Sequence, residues 1–264
     1  MGLFHPFRDH RREELGKQPF PAEWAHIIEK NVPYYRCLHS DERLHLENLI
    51  KVFISEKHFE GCGGLPITDE IRVTIAAQAC LLLLNIQHDY YERLVSILVY
   101  PESFGFEQEE RSQTGTVSIT NRTVAGLSSS TGAVVLSWPD TVRGAQRPGD
   151  GMNVVLHEFA HQLDQLDDAM NGAPILSRAS MYRDWAQVLG AEYKRLQDEV
   201  TTSTPSLISA YAATQPAEFF AVVTELFFER PIELQLEHPA LYEELRQYYR
   251  QDTAARLREC HTQP

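Results

Sequence analysis

Cysteine is scarce in this chain. Four occur in 264 residues, Cys37, Cys62, Cys80 and Cys260, with no Cys-x-x-Cys pair and no dense framework. That spacing indicates neither a zinc ribbon nor a disulfide scaffold, and reduced thiols in a cytosolic protein are the expected state. Positive charge is also short, with Lys+Arg at 24 against Asp+Glu at 37 and a formal net charge of −13. Such a balance provides no basic face for nucleic acid and no attraction to anionic membranes. Nor is any apolar run long enough to span a bilayer; the longest, Val73 to Ile86, contains Gln78 and Asn85. The opening residues Met1 to Arg8 hold no apolar core of signal-peptide length, and Pro6 breaks the myristoylation pattern. A soluble, cytoplasmic protein with no nucleic-acid or membrane partner is therefore expected. Repeats, low-complexity tracts and long Gly/Ser linkers are missing as well. With 43% hydrophobic residues, the length suits one well-buried core.

What is present is a compact piece of chemistry, His157-Glu158-Phe159-Ala160-His161. Positions i and i+4 share a helix face, so both imidazoles can reach one metal. Glu158, one step round, can instead take a proton from water activated at that metal. Chance matches to this five-residue pattern occur, and two ordinary hydrogen-bonded histidines are the alternative. The surroundings favour a site: Met152 to Leu156 lead in as an apolar run, Phe159, Ala160 and Leu163 continue it, and no Gly or Pro intervenes before Gly172. Asp150 or Asn153 can cap the helix.

A catalytic zinc needs a third protein ligand. Asp167 follows His161 by six residues, a spacing that requires a glycine turn where this chain has Asp164. Glu192 sits in the charged run Glu192-Tyr193-Lys194-Arg195, the pattern of a solvated helix face. Glu218 is the strongest candidate, because Pro216 starts a helix in which an acid lies among Phe, Val and Leu, and a buried carboxylate needs a cation or donors. Glu225, two turns on, can orient a ligating imidazole or form a surface ion pair. Tyr211 can donate to an oxyanion or simply pack in the core.

The remainder reads as helices over Ala22–Lys30 and Asp41–Glu56, a turn at Glu60 to Leu65, and a core helix capped by Thr68 and running through Leu84. Residues 1–20 are charged and expected to form a loosely held arm, with a zincin-like metallopeptidase domain over 21–264. Val95–Tyr100, Thr116–Thr120 and Ala133–Trp138 read as strands of one small sheet. The expected class is α+β, a mainly helical single domain with a small mixed sheet beside the active-site helix. A strand of that sheet can pair with an extended peptide.

These residues resemble the Mlc titration factor A (MtfA) family of bacterial metallopeptidases. The resemblance rests on Gly61-Cys62-Gly63-Gly64-Leu65 with Ile67 to Glu70, on Leu136-Ser137-Trp138-Pro139, on His157 to Asp164, and on Pro216 to Val222. It covers roughly residues 20 to 250 and leaves Asp252 to Pro264 unmatched. The motif helix and the Glu218 block are also similar to the catalytic domain of anthrax lethal factor, which has a tyrosine where Tyr211 stands. The resemblance implies a gluzincin-like site with Zn2+ at His157, His161 and Glu218, Glu158 as general base and proton shuttle, and Tyr211 as oxyanion donor. It further implies peptidase or aminopeptidase activity on a peptide or protein substrate and, in enteric members, binding to the Mlc repressor of glucose uptake. A non-catalytic protein that titrates a transcription factor is the competing reading.

Overall fold

The computed structural model describes residues 6–87, 89–111, 117–124, 126–129, 132–167 and 169–262. Helices α1 (Pro6–Lys17), α2 (Ala22–Asn31) and α3 (Ser40–Glu56) precede strand β1 (His58–Gly61), and helix α4 (Asp69–Leu83) leads on to strand β2 (Ser96–Tyr100). Strands β3 (Phe104–Arg111), β4 (Val117–Val124), β5 (Gly126–Ser129) and β6 (Ala133–Ser137) follow, then helices α5 (Trp138–Gln146) and α6 (Val154–Asp164). The chain closes with α7 (Met181–Thr202), α8 (Pro216–Glu229), α9 (Pro231–Glu237), α10 (Pro239–Tyr249) and α11 (Thr253–Thr262). It is an α+β fold, mainly helical.

Local chemistry accounts for many boundaries. Thr68 Oγ1 accepts from the Ile71 N–H at the start of α4, at 3.3 Å, and Asp69 and Glu70 in the first turn complement its dipole. Pro216, Pro231 and Pro239 each open a helix, where a missing N–H costs nothing. The segment expected to be a loose arm carries α1. Arg12 there makes a two-pronged contact with Glu56 on α3, at 2.7 and 2.8 Å, and its guanidinium stands over the Tyr90 ring. Lys51 Nζ donates to the Gly16 and Gln18 carbonyls at the C-terminal end of α1.

The main sheet has the order β1-β2-β6-β5, the first three strands parallel and β5 antiparallel to β6. One expectation is corrected here. Residues 117–124 do not join that sheet but pair with β3 in a separate antiparallel hairpin, and Thr116 lies outside the described residues. A short β-branched segment announces a strand; its partner is chosen by nonlocal packing. Strand β1 is likewise new, extending into the segment expected to be a turn.

Motif helix α6 lies between two helices with little solvent exposure. From Val73 to Leu83, α4 is buried on every side, and α8 is buried from Ala217 to Glu229. Phe159, two positions from His157 and so on the opposite face of α6, packs against Phe53 and Tyr91 at ring distances of 5.7 and 4.9 Å. Burying one such ring contributes about 1.5–3 kcal/mol, and here it also aims His157 the other way. Gly172 then ties the end of α6 to α7 and lies against the start of α8. Its N–H donates to Asp164 and its carbonyl accepts from Trp185. With φ +75° and a would-be Cβ only 2.4 Å from the Pro216 carbonyl oxygen, no side chain fits there.

The expectation of reduced thiols is corrected for one pair. Cys37 and Cys260 are disulfide-bonded, joining a 3₁₀ turn (Pro33–Cys37) to α11, while Cys62 and Cys80 are free. The partners are 223 residues apart, beyond any local spacing rule. The buried Arg256 guanidinium pins α11 independently, donating to Tyr34, Gln251 and Glu42. Among the described residues, no helix is long and apolar enough to cross a membrane.

Candidate metal centre

Asn153 is the cap of α6, accepting the Leu156 N–H on Oδ1 at 3.1 Å. Asp150, the other capping candidate, closes a tight turn on the Met152 N–H instead. One turn into α6, His157 and His161 stand with ring centroids 4.9 Å apart. Glu218 reaches them from the first turn of α8: its Oε2 lies 3.0 Å from His157 Nε2 and 3.5 Å from His161 Nε2. Ligand atoms of the three residues all fall within 4.8 Å of one another. Donors held at tetrahedral zinc distances are about 3.3 Å apart, so both measured separations suit one shared cation.

The electrostatics agree with that donor set. Burial alone would raise the Glu218 carboxyl, but hydrogen bonds and charge from His157 and His161 hold it well below the carboxylate range. For His157, burial disfavours the cation, yet Glu225 and Glu218 outweigh it and raise the imidazole well above its ordinary value. Two anions thus converge on one imidazole, which a divalent cation would relieve. Burial pushes the Glu158 carboxyl up to about 7. Its Oε2 has no hydrogen-bond partner among the described residues. An unsatisfied buried carboxylate oxygen beside two imidazoles and two further acids makes this cluster a candidate functional site.

The other candidates sort themselves by contact. Glu225 Oε1 sits 2.7 Å from His157 Nδ1, on the opposite ring nitrogen from the one that faces Glu218 rather than in a surface ion pair. The Tyr211 ring is stacked near that of His157, with centroids 6.1 Å apart and planes at 29°. It is carried by a 3₁₀ turn (Ala210–Ala213) held by Ser209 Oγ and by Tyr193, which donates to the Ala213 carbonyl. Glu192 is engaged elsewhere, 2.8 Å from the buried His238. The backbone of Asp167 ends a short 3₁₀ turn; its side chain lies outside the described residues.

Two contacting residues were not foreseen. Gln215, just before α8, donates from Nε2 to Glu218 Oε1 at 3.2 Å, leaving Oε2 to the imidazoles. Glu229 accepts from Gly149 N–H and Asn153 Nδ2, and burial pushes its carboxyl up to about 8. The signal for Glu229 was legible: a third acid, four residues after Glu225, on a helix rich in Phe, Val and Leu.

Comparison with known proteins decides the family. Residues 7–250 match the sequence profile of the glucose-regulated metallopeptidases M90. The chain belongs to this metallopeptidase family. It is 42% identical over 242 residues to an uncharacterized protein of Synechocystis sp., covering 91% of this chain and 88% of the relative. Mlc titration factor A of Klebsiella pneumoniae is 32% identical over 250 residues, with coverages of 94% and 92%. The protein of the same name from Salmonella typhi is 31% identical over 230 residues, 86% of each chain. The family match spans α1 to α10 and so includes every residue of the metal cluster.

Proposed function

We propose that the chain is a zinc-dependent, gluzincin-like peptidase of aminopeptidase type, with His157, His161 and Glu218 as the zinc ligands. The observation that carries this reading is the convergence of those donors beside a buried, unpaired Glu158 oxygen. Zinc fits the donor set because two neutral imidazole nitrogens and one carboxylate are its common catalytic complement, with a position left open. When bound, it supplies Lewis acidity and brings the ionisation of water toward neutral pH.

The chain's own residues supply the rest. Glu158, buried on α6 next to His157, takes a proton from the attacking water and returns it to the leaving amine. Tyr211, beside His157, donates to the oxygen that gains charge as the carbonyl becomes tetrahedral. Glu225 fixes the His157 tautomer with the proton on Nδ1, which keeps the Nε2 lone pair for the cation. Strand β5, at the end of the main sheet and packed along α6, supports an extended peptide pairing with its outer edge.

The decisive experiment is hydrolysis of a peptide library by zinc-loaded protein beside Glu158→Gln, followed by mass spectrometry. Cleavage lost in the variant, with zinc retained, supports the peptidase; equal cleavage by both refutes it. Free and acetylated libraries run in parallel separate an aminopeptidase from an endopeptidase. A second reading draws on the names of the Klebsiella and Salmonella relatives, Mlc titration factors: the chain would bind an Mlc-type repressor in the cytoplasm. Binding to purified repressor that survives Glu158→Gln would establish that role independently of hydrolysis.

A further inference from the structure

Behind the ligands lies a buried polar cluster of which the proposed mechanism uses only Glu225. Glu225 and Glu229 stand one turn apart on α8, and Asn153 faces both. The Asn153 backbone N–H donates to Glu225 Oε2 at 2.5 Å. Its side-chain Nδ2 donates to Glu229 Oε1 at 3.1 Å, while its Oδ1 accepts the Leu156 N–H. Glu229 Oε2 accepts the Gly149 N–H at 2.9 Å. The Asn153 amide therefore joins the first turn of α6 to helix α8, and Glu229 joins α8 to Gly149.

Capping alone does not demand asparagine, since Asp, Ser and Thr cap as well. Asparagine differs in offering an N–H donor from the same position, and Glu229 requires one. A carboxylate in its place would set two buried acids face to face. Both Glu229 oxygens keep a lone pair for their donors whether or not one carries a proton, whereas an amide there has only one acceptor atom.

We infer that Asn153 and Glu229 are positioning residues for the metal centre. They fix the offset of α6 against α8, and so aim Glu225 at His157 Nδ1 and His157 Nε2 at Glu218. The inference rests on the zinc-site reading above.

Zinc affinity, measured by competition with a chromophoric chelator on the full chain, tests it, with urea unfolding in excess chelator run alongside. Asn153→Asp keeps the shape and the cap but loses the donor; Glu229→Gln loses one acceptor. Each is expected to weaken zinc binding about 10–100-fold, the range for groups that orient a ligand. In the double variant Asn153→Asp/Glu229→Gln the new amide donates to the new carboxylate and its oxygen still accepts from Gly149. Affinity there should return to within about threefold of the wild type, the signature of a restored contact. Wild-type affinity in Glu229→Gln, with only its unfolding midpoint lowered, overturns the inference in favour of a purely structural role. So does a double variant no better than the worse single one, and this comparison holds even if Asn153→Asp alone fails to fold. A wild-type chain that binds no zinc overturns the site reading itself, and the inference with it.

Discussion

Replacing Glu225 with glutamine changes one atom in volume terms, yet the geometry leaves that atom no acceptable place. In the native site one carboxylate oxygen meets His157 Nδ1 at 2.7 Å and the other meets the Asn153 N–H at 2.5 Å, so both oxygens accept. If the amide oxygen of the variant faces His157, its NH2 confronts the Asn153 N–H, and a buried unsatisfied donor costs about 1–3 kcal/mol. If the NH2 faces His157 instead, Nδ1 must accept and the ring proton moves to Nε2, the atom the cation needs. Either orientation also gives up a charge-assisted hydrogen bond, roughly twice as strong as a neutral one. Glu225→Gln should therefore lose about 10–100-fold in zinc affinity and about 1–3 kcal/mol of stability. Chelator competition and urea unfolding on the same preparation read the two effects separately. Unchanged zinc affinity would refute the claim that Glu225 sets the His157 tautomer, whatever happened to stability.

Tyr211→Phe should lower kcat about 10²–10³-fold with KM and zinc affinity near wild type, as expected for a donor used only in the transition state; a change confined to KM would refute that role. Lys57, whose Nζ donates to the Tyr91 and Leu94 carbonyls, is pushed by burial from 10.5 down to about 8. Between those values the unfolded chain binds more protons than the folded one, so this group makes stability rise with pH across that window. Urea unfolding of Lys57→Met from pH 8 to 10.5 should lack that contribution, and parallel profiles for variant and wild type would contradict it. The Cys37–Cys260 bond, with partners 223 residues apart, is worth about 5 kcal/mol on chain entropy. Cys37→Ser/Cys260→Ser should unfold at lower urea yet keep its zinc affinity, because Arg256 still anchors α11; an unchanged midpoint would show that the bond does not constrain the unfolded chain.

Much of the site could be read from the sequence because its logic is local. His157 and His161 share a helix face through backbone geometry alone, and Glu218 stood out as an acid within a run of Phe and Val that no solvated helix would carry. The α+β class followed from a change of hydrophobic period, and the Thr68 cap from a residue type with one favoured use. What sequence could not supply was pairing at a distance. Strand patterns at 95–100, 116–120 and 133–138 carry no label for which partners meet, and the packed structure put residues 117–124 in a hairpin of their own. Cys37 and Cys260 come together because α11 docks beside the turn before α3, an outcome of packing rather than spacing. The sequence already ranked Glu218 above Asp167 and Glu192, and the fold brings it within 3.5 Å of both histidines while Glu192 meets His238. Local periodicity determined which residues could perform the chemistry. Only the packing of α8 against α6 determined which of them stand together, because burial against a partner helix is a property of two segments and is written in neither one alone.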